Sequence, residues 1–365
     1  MNKDKGFMIR LRRGKVKKII EKREGVEEVL VEVEGIMQKA INYVQMAGPV
    51  NIEDEVVLNT TALFLNLGSG GYNFVIYNFS NSHLDIGQKG HIMKLRYTPL
   101  QIKCLSVEEK GSSLREKIEN TTSLEGMPVV IVPLHSAIAA VCASIKYLND
   151  NVKIAYIMTD GGALPIFFSK TVYVLKKLKL LDLTITVGHA FGGDLEAVTL
   201  YSGLIAAKAA GCHIVIVGVG PGIVGTETKY GNTGIIQGEA INAVNILKGK
   251  AIVVPRIMLN DKRERHYLVS HHTLTALSEI ALTKAFVVLS EEMDVKTREL
   301  VLKRFTEYKI LEKHEVIFRE GKKGIEYLRG INFNLITMGK DYEQESYYFL
   351  TAAAGGVFAA ENIRY

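Results

Sequence analysis

Cysteine is scarce in this chain of 365 residues: Cys104, Cys142 and Cys212 lie far apart, with no C-x-x-C spacing. That argues against a disulfide framework and a cysteine zinc site, and the three thiols read as small buried apolar residues. Long uninterrupted apolar runs are also missing. The most apolar region, residues 202–225, is broken by Lys208 and His213 and dense in glycine, so no membrane span is expected. The opening MNKDKGFMIRLRR has no apolar leader segment, and a cytoplasmic protein is the expectation. Several catalytic signatures are absent as well: there is no G-x-x-x-x-G-K-[ST], no G-x-S-x-G, and no H-x-x-x-H or H-E-x-x-H. A P-loop is therefore excluded, and Ser136 and Ser270 give only thin support for a serine nucleophile. Adjacent His271 and His272 should point in different directions, so no metal site is assigned.

What the chain does contain is enough apolar residue, 47%, to bury a large core in two domains. Its net charge of +6 is unevenly placed: residues 1–24 hold ten Lys or Arg, Lys3 and Lys5 among them, against Asp4, Glu21 and Glu24. A solvated strand face accounts for this. Contact with nucleic acid is the sharper reading, but no aromatic-rich binding motif accompanies the charge.

From residue 8 to 107 the pattern is short runs of period two, as in Val29, Val31 and Val33, or Asn73 to Tyr77, separated by glycine-rich turns. This predicts a β-rich N-terminal domain over 1–107, a small barrel or sandwich. Residues 108–126 are polar and read as a linker with room for a short helix. After Met127 continuous apolar runs at 129–134, 153–159, 183–188, 213–219, 251–257 and 285–290 alternate with helical periodicity at 137–148, 195–210, 237–247 and 274–282. That alternation predicts a doubly wound, mostly parallel α/β domain over 127–365, with a last strand at 315–318 and a closing helix at 347–360.

In such sheets ligands bind outside the carboxyl ends of the strands. The candidate catalytic residues are those that follow predicted strands: His135, Asp160, His189 with Asp194, and the pair His271 and His272. Histidine beside a carboxylate suits general acid/base work near neutral pH. Glu196 reads instead as an acidic residue starting a helix, and His83, His91, His213 and His314 as structural or surface groups.

The segment CHIVIVGVGPGIVGTETKYGNTG, residues 212–234, reads as a buried strand opening into a long glycine loop. So many glycines predict positive φ angles or backbone lying directly against a ligand. Gly220, Gly222 and Gly225 form G-x-G-x-x-G, yet Gly231 and Gly234 delay the helix and the next strand ends at Pro255-Arg256, with no acid for a ribose. A dinucleotide site is disfavoured for that reason. The remaining expectation is an anion cradle made by Gly218, Gly220, Gly222, Gly225, Thr226, Thr228 and Lys229 for a phosphate or carboxylate; the cofactor is undetermined.

The segments VGHAFGGDLEAV (187–198), GVGPGIVGTETKYGNTG (218–234) and SHHTLTAL (270–277) together resemble an uncharacterised bacterial family, the domain of unknown function 3866. The resemblance runs nearly full length and implies no activity or substrate. Two readings stay open. One is an enzyme acting on a small phosphorylated or carboxylated metabolite through the glycine loop and a histidine. The other is a non-enzymatic sensing module whose basic barrel contacts nucleic acid or a protein. A purely structural role is a third. The sequence leaves the oligomeric state undetermined.

Overall fold

The computed structural model describes residues 8–363. The expectations that fall on residues 1–7, including Lys3, Asp4, Lys5 and part of the opening segment MNKDKGFMIRLRR, lie outside the described residues, as do the last two residues of the domain predicted to run to 365. The chain divides into two compact units. One comprises the residues up to Lys89 together with Leu95–Lys103; the other comprises Gly90–Lys94 and Cys104 onward.

The barrel of the first unit has five strands: β1 (Leu11–Arg23), β2 (Val26–Val33), β3 (Ile36–Tyr43), β4 (Glu55–Asn59) and β5 (Asn73–Asn78). They close into a barrel in the order β1-β2-β3-β5-β4. All pairs are antiparallel except β3 with β5, where Ala40 faces Asn73 and Ile41 faces Phe74. Alternation supplies the lining: Val16, Val29, Val31, Val33, Val56 and Leu58 are all fully buried. The β2–β3 turn falls on Glu34 and Gly35, both at positive φ, which suits a tight hairpin. Arg10 and cations of β1 face acids on neighbouring segments. Arg10 and Arg12 reach Glu34 at 2.8 and 2.6 Å, Lys15 and Lys17 reach Glu53 at 3.1 Å, and Lys22 reaches Glu27 at 2.8 Å.

The second unit is built on eight parallel strands. They are β6 (Pro128–Ile131), β7 (Ile154–Thr159), β8 (Leu183–Val187), β9 (Leu195–Ala197), β10 (Ile214–Val219), β11 (Lys250–Val253), β12 (Phe286–Ser290) and β13 (Glu315–Arg319). Their order in the sheet is β9-β8-β7-β10-β6-β11-β12-β13. Strands β6, β7 and β10 are buried at every residue, as expected of strands covered on both faces. One face packs α1 (Ile138–Leu148), α2 (Lys170–Lys177) and the closing helix Ser346–Glu361; the other packs α3 (Leu200–Ala209) and α4 (Ile236–Ile246). The fold is thus a β-barrel followed by a doubly wound α/β unit. No helix among the described residues is long and apolar enough to cross a membrane.

Three local readings of the sequence need correction. The helix expected over 195–210 begins only at Leu200, because Leu195–Ala197 pairs with β8 as an edge strand. Thr199 then caps the helix, its Oγ1 accepting from the Ser202 N–H at 3.2 Å. The strand expected over 251–257 stops at Val253 before Pro255, and Ile257–Met258 pairs instead with Leu268–Val269. The helix expected over 274–282 starts at His271 and widens into a π turn at Ala276–Ile280. Residues 104–127 belong to the second unit: Val107 and Leu124 are buried in its core, and Leu124 N–H bonds Leu247 O at 2.7 Å. The polar residues around them masked these anchors.

Candidate functional site

The chain leaves β6 through α1 on one face of the sheet and leaves the neighbouring β10 through α4 on the other. Opposite exits from adjacent parallel strands open a crevice between their carboxyl ends. A small cavity lies there, lined by Val132, Pro133, Gly218, Thr233, Gly234 and Gln237 among others. The N-terminal turn of α4 borders it, preceded by Asn232 and the tight turn Thr233–Ile235. Gln237 holds the surrounding pieces together. Its Nε2 donates to Ile131 O at 3.3 Å and Val254 O at 3.1 Å, while its Oε1 accepts from Thr273 Oγ1 at 3.3 Å.

The glycines of the loop mostly serve close packing of protein on protein. A Cβ at Gly218 would lie 2.6 Å from Val132 Cγ2, and one at Gly220 only 2.3 Å from Ala163 O. Gly231 is pressed in the same way against Thr226 and Thr228, and Gly234 against His272 Cβ at 2.9 Å. Of the loop glycines only Gly222 has a positive φ, 90°, and the space beside it is open. The expectation of widespread positive φ is therefore corrected: close approach, not backbone handedness, selects glycine here.

The outer half of the loop is held by its own groups. Thr226 N–H bonds Gly231 O at 2.7 Å, and the Thr226 and Thr228 hydroxyls bond each other at 2.8 Å. Gly225 bridges to Asn232 across this turn. Lys229 and Tyr230 both contact the Glu279 carboxylate, and Glu227 pairs with Arg265 at 2.6 Å. Lys229, expected to face an anion, is thus paired with a carboxylate of the protein.

The predicted catalytic residues are spread along the sheet edge. His135 is buried; its Nδ1 bonds Tyr156 Oη at 3.0 Å and its Nε2 bonds Ser169 Oγ at 2.5 Å. Burial pushes its pKa down to about 4, so it is a neutral strut. Tyr156 Oη in turn donates to Val219 O at 3.0 Å, bracing the exit of β10. Asp160 and His189 are both exposed, at the exits of β7 and β8, and the Asp160 carboxylate accepts the His189 N–H at 3.1 Å.

Asp194 is elsewhere. It precedes β9, level with Thr184 at the amino end of β8, where it accepts from the Thr184 N–H and Oγ1 at 2.8 Å and pairs with Lys176. That position is on the wrong edge for the crevice, because Leu195–Ala197 forms a strand and carries Asp194 back along the sheet. Glu196 does not start a helix. It is buried in β9, pairs with Lys94 at 2.6 Å, and accepts from Thr186 Oγ1 and Gly192 N–H, both at 2.6 Å. Lys94 also donates to Ala190 O at 2.5 Å. Nothing in the spacing of Lys94 and Glu196, 102 residues apart, signals this pair.

His271 and His272 stand behind Gly234, and the structure adds His266 to them. Ring centroids are 4.3 Å apart for His271 and His272, 4.8 Å for His266 and His272, and 5.1 Å for His266 and His271. The short pairing of Ile257–Met258 with Leu268–Val269, and Leu268 at φ 63°, turn the chain so that residues five and six positions apart meet. Arg256, buried, donates to Asp261 at 2.9 Å and holds the base of the cluster. Desolvation, with Arg256 nearby, lowers the His266 pKa to about 3; desolvation and the neighbouring His271 do the same for His272, and His271 is lowered by burial. The downward shifts favour the neutral imidazole in all three, and each neutral ring presents one N–H and one lone pair. Sequence reasoning missed His266 as a partner; its own spacing to the pair, H-x-x-x-x-H-H, was the available signal.

No curated protein matches the chain. A family model described as Protein of unknown function (DUF3866) matches residues 39–356, a span that holds the crevice, the glycine loop and the histidine cluster, and the chain belongs to that family.

Proposed function

We propose that this chain is an enzyme acting on a small phosphorylated or carboxylated metabolite, bound in the crevice between the carboxyl ends of β6 and β10. The observation that carries the reading is the switch point itself, where β6 and β10 exit to opposite faces of the sheet beside Thr233, Gly234 and the amino end of α4. Parallel sheets place ligands there, and the N-terminus of a helix favours a negative group. The cradle differs from the one the sequence suggested: Gly218 and the 233–237 turn replace Thr226, Thr228 and Lys229. His189, beside Asp160 and two strands from β10 or about 10 Å by strand spacing, stands beyond hydrogen-bond reach of the crevice, so no proton-transfer residue is assigned. His135 is excluded from that role because both ring nitrogens are engaged inside the wall. The competing reading, a sensing module whose basic barrel contacts nucleic acid, draws no support from Arg10 and β1, where Arg10 and four cations of the strand have carboxylate partners within 3.1 Å.

A thermal-shift panel of inorganic phosphate, sugar phosphates, nucleotides and dicarboxylates tests the placement, using wild type and Thr233→Leu, which crowds the rim. An anion at a hundredfold excess over its Kd adds about 2.7 kcal/mol, or roughly 3–4 °C for a chain of this size. The expected result is a shift in wild type that Thr233→Leu abolishes. Equal shifts in both proteins would put the ligand elsewhere, and a flat panel in wild type would remove the anion.

A further inference from the structure

The three imidazoles of His266, His271 and His272 have a feature the proposed metabolite does not explain. His271 Nε2 and His272 Nδ1 are buried and have no hydrogen-bond partner. A buried polar atom left unpaired costs about 1–3 kcal/mol, and two of them side by side in one cluster are a recognised mark of a missing ligand. His266 Nδ1 bonds Ser270 Oγ at 2.8 Å, which leaves its Nε2 as the remaining donor atom. One candidate ligand atom from each ring lies within 4.8 Å of the other two.

We propose that His266, His271 and His272 form a three-histidine site for a divalent transition-metal ion of the zinc class. Neutral imidazole is a preferred ligand for such ions, and three protein nitrogens leave a fourth position for water or substrate. With metal–nitrogen distances of about 2.0–2.1 Å, tetrahedral ligands stand roughly 3.3 Å apart. The rings therefore close by about 1.5 Å on binding, a movement within reach of side-chain rotation. Second-sphere support is in place: Ser270 Oγ orients His266 and accepts the His272 N–H at 3.3 Å, and Ser270 N–H is held by Arg256 O at 3.0 Å. Arg256, whose Nη1 lies 3.5 Å from His266 Nδ1, and the nearby Arg263 and Arg265 bring positive charge to the cluster, each offset by a carboxylate. Arg256 and Arg263 share Asp261 at 2.9 and 2.8 Å, and Arg265 is matched by Glu227 at 2.6 Å. Sulfur ligands are not nearby, since no cysteine joins the cluster among the described residues.

This site is independent of the proposed metabolite, because it is read with the metal alone. Full-length protein is stripped with a chelator, titrated with Zn²⁺, and analysed for bound metal after gel filtration. The expected result is one zinc per chain, and an affinity at least a hundredfold weaker in His271→Gln, the half-buried member and the one most easily replaced. His83→Gln, an exposed histidine far along the chain, should bind as wild type does. Substituting Co²⁺ in wild type adds a readout that needs no variant: three imidazoles and one open position give the strong visible absorption of a four- or five-coordinate ion. Absence of retained zinc in wild type, equal affinity in wild type and His271→Gln, or the weak spectrum of six-coordinate cobalt would each overturn the assignment. Should His271→Gln fail to fold, the stoichiometry and the cobalt spectrum of wild type decide it.

Discussion

Lys94 and Glu196 illustrate how much a single buried contact can carry. Lys94 is 1% exposed and its ammonium sits against Glu196, Ala190 O and Thr186 O. A charge in that position is tolerable only because every donor is used. Lys94→Met leaves the Glu196 carboxylate buried without its cation, and a loss of about 3–5 kcal/mol is expected in urea unfolding. Lys94→Met with Glu196→Gln should recover part of that loss, since no unpaired charge remains; a single variant as stable as wild type would show that the pair contributes nothing. Legibility at this scale was partial. Residues after strands were readable as candidates, and Asp160 and His189 do meet at the strand exits. Asp194 and Glu196 were not readable, because three residues of edge strand turned one to the far edge and buried the other.

At the level of elements, the glycine loop is a packed structure more than an open cradle. The prediction belongs to the contrast between two of its residues. Gly220→Ala drives a Cβ to 2.3 Å from the Ala163 carbonyl, an atom of backbone that cannot rotate away. Gly222→Ala meets open space and bears only the strain of its φ of 90°. A left-handed alanine costs about 1–2 kcal/mol, whereas overpacking against backbone costs about 1–3 kcal/mol or more and displaces the loop. Denaturant midpoints should thus fall further for Gly220→Ala; the reverse order would show that conformation, not contact, is why glycine is required. The density of glycine was visible in the sequence, but its cause was not, since the partner of Gly220 lies in the Asp160–Ala163 turn and that of Gly234 in another segment altogether.

Across the whole molecule, buried neutral histidines make the fold sensitive to acid. His135 has its pKa lowered to about 4 by burial, from 6.5 in an unfolded chain, and burial lowers that of His314 as well. Between those values the unfolded state binds the proton more readily, so folding stability is complete above pH 6.5 and declines as the pH falls toward 4. For His135 the decline amounts to about 2 kcal/mol at pH 5, at 1.36 kcal/mol per pH unit. Urea unfolding at pH 7, 6 and 5 should follow this slope, and His135→Gln should flatten its share; an unchanged slope in that variant would assign the acid sensitivity to other groups.

The order of elements was settled by local chemistry. Period-two runs made the barrel strands, continuous apolar runs made the parallel strands, and the shift between them at Met127 is a property of neighbouring residues that any fold must respect. What only the tertiary structure decided is which distant residues share a site. The crevice exists because β6 and β10, 86 residues apart at their first residues, became neighbours with helices on opposite faces. His266 joined His271 and His272 because one left-handed residue, Leu268, reversed the chain between them. Strand order depends on packing of the whole sheet, and no window of sequence contains that information; the spacing H-x-x-x-x-H-H shows the three histidines as neighbours, but the left-handed Leu268 that brings their rings together is a feature of the folded chain.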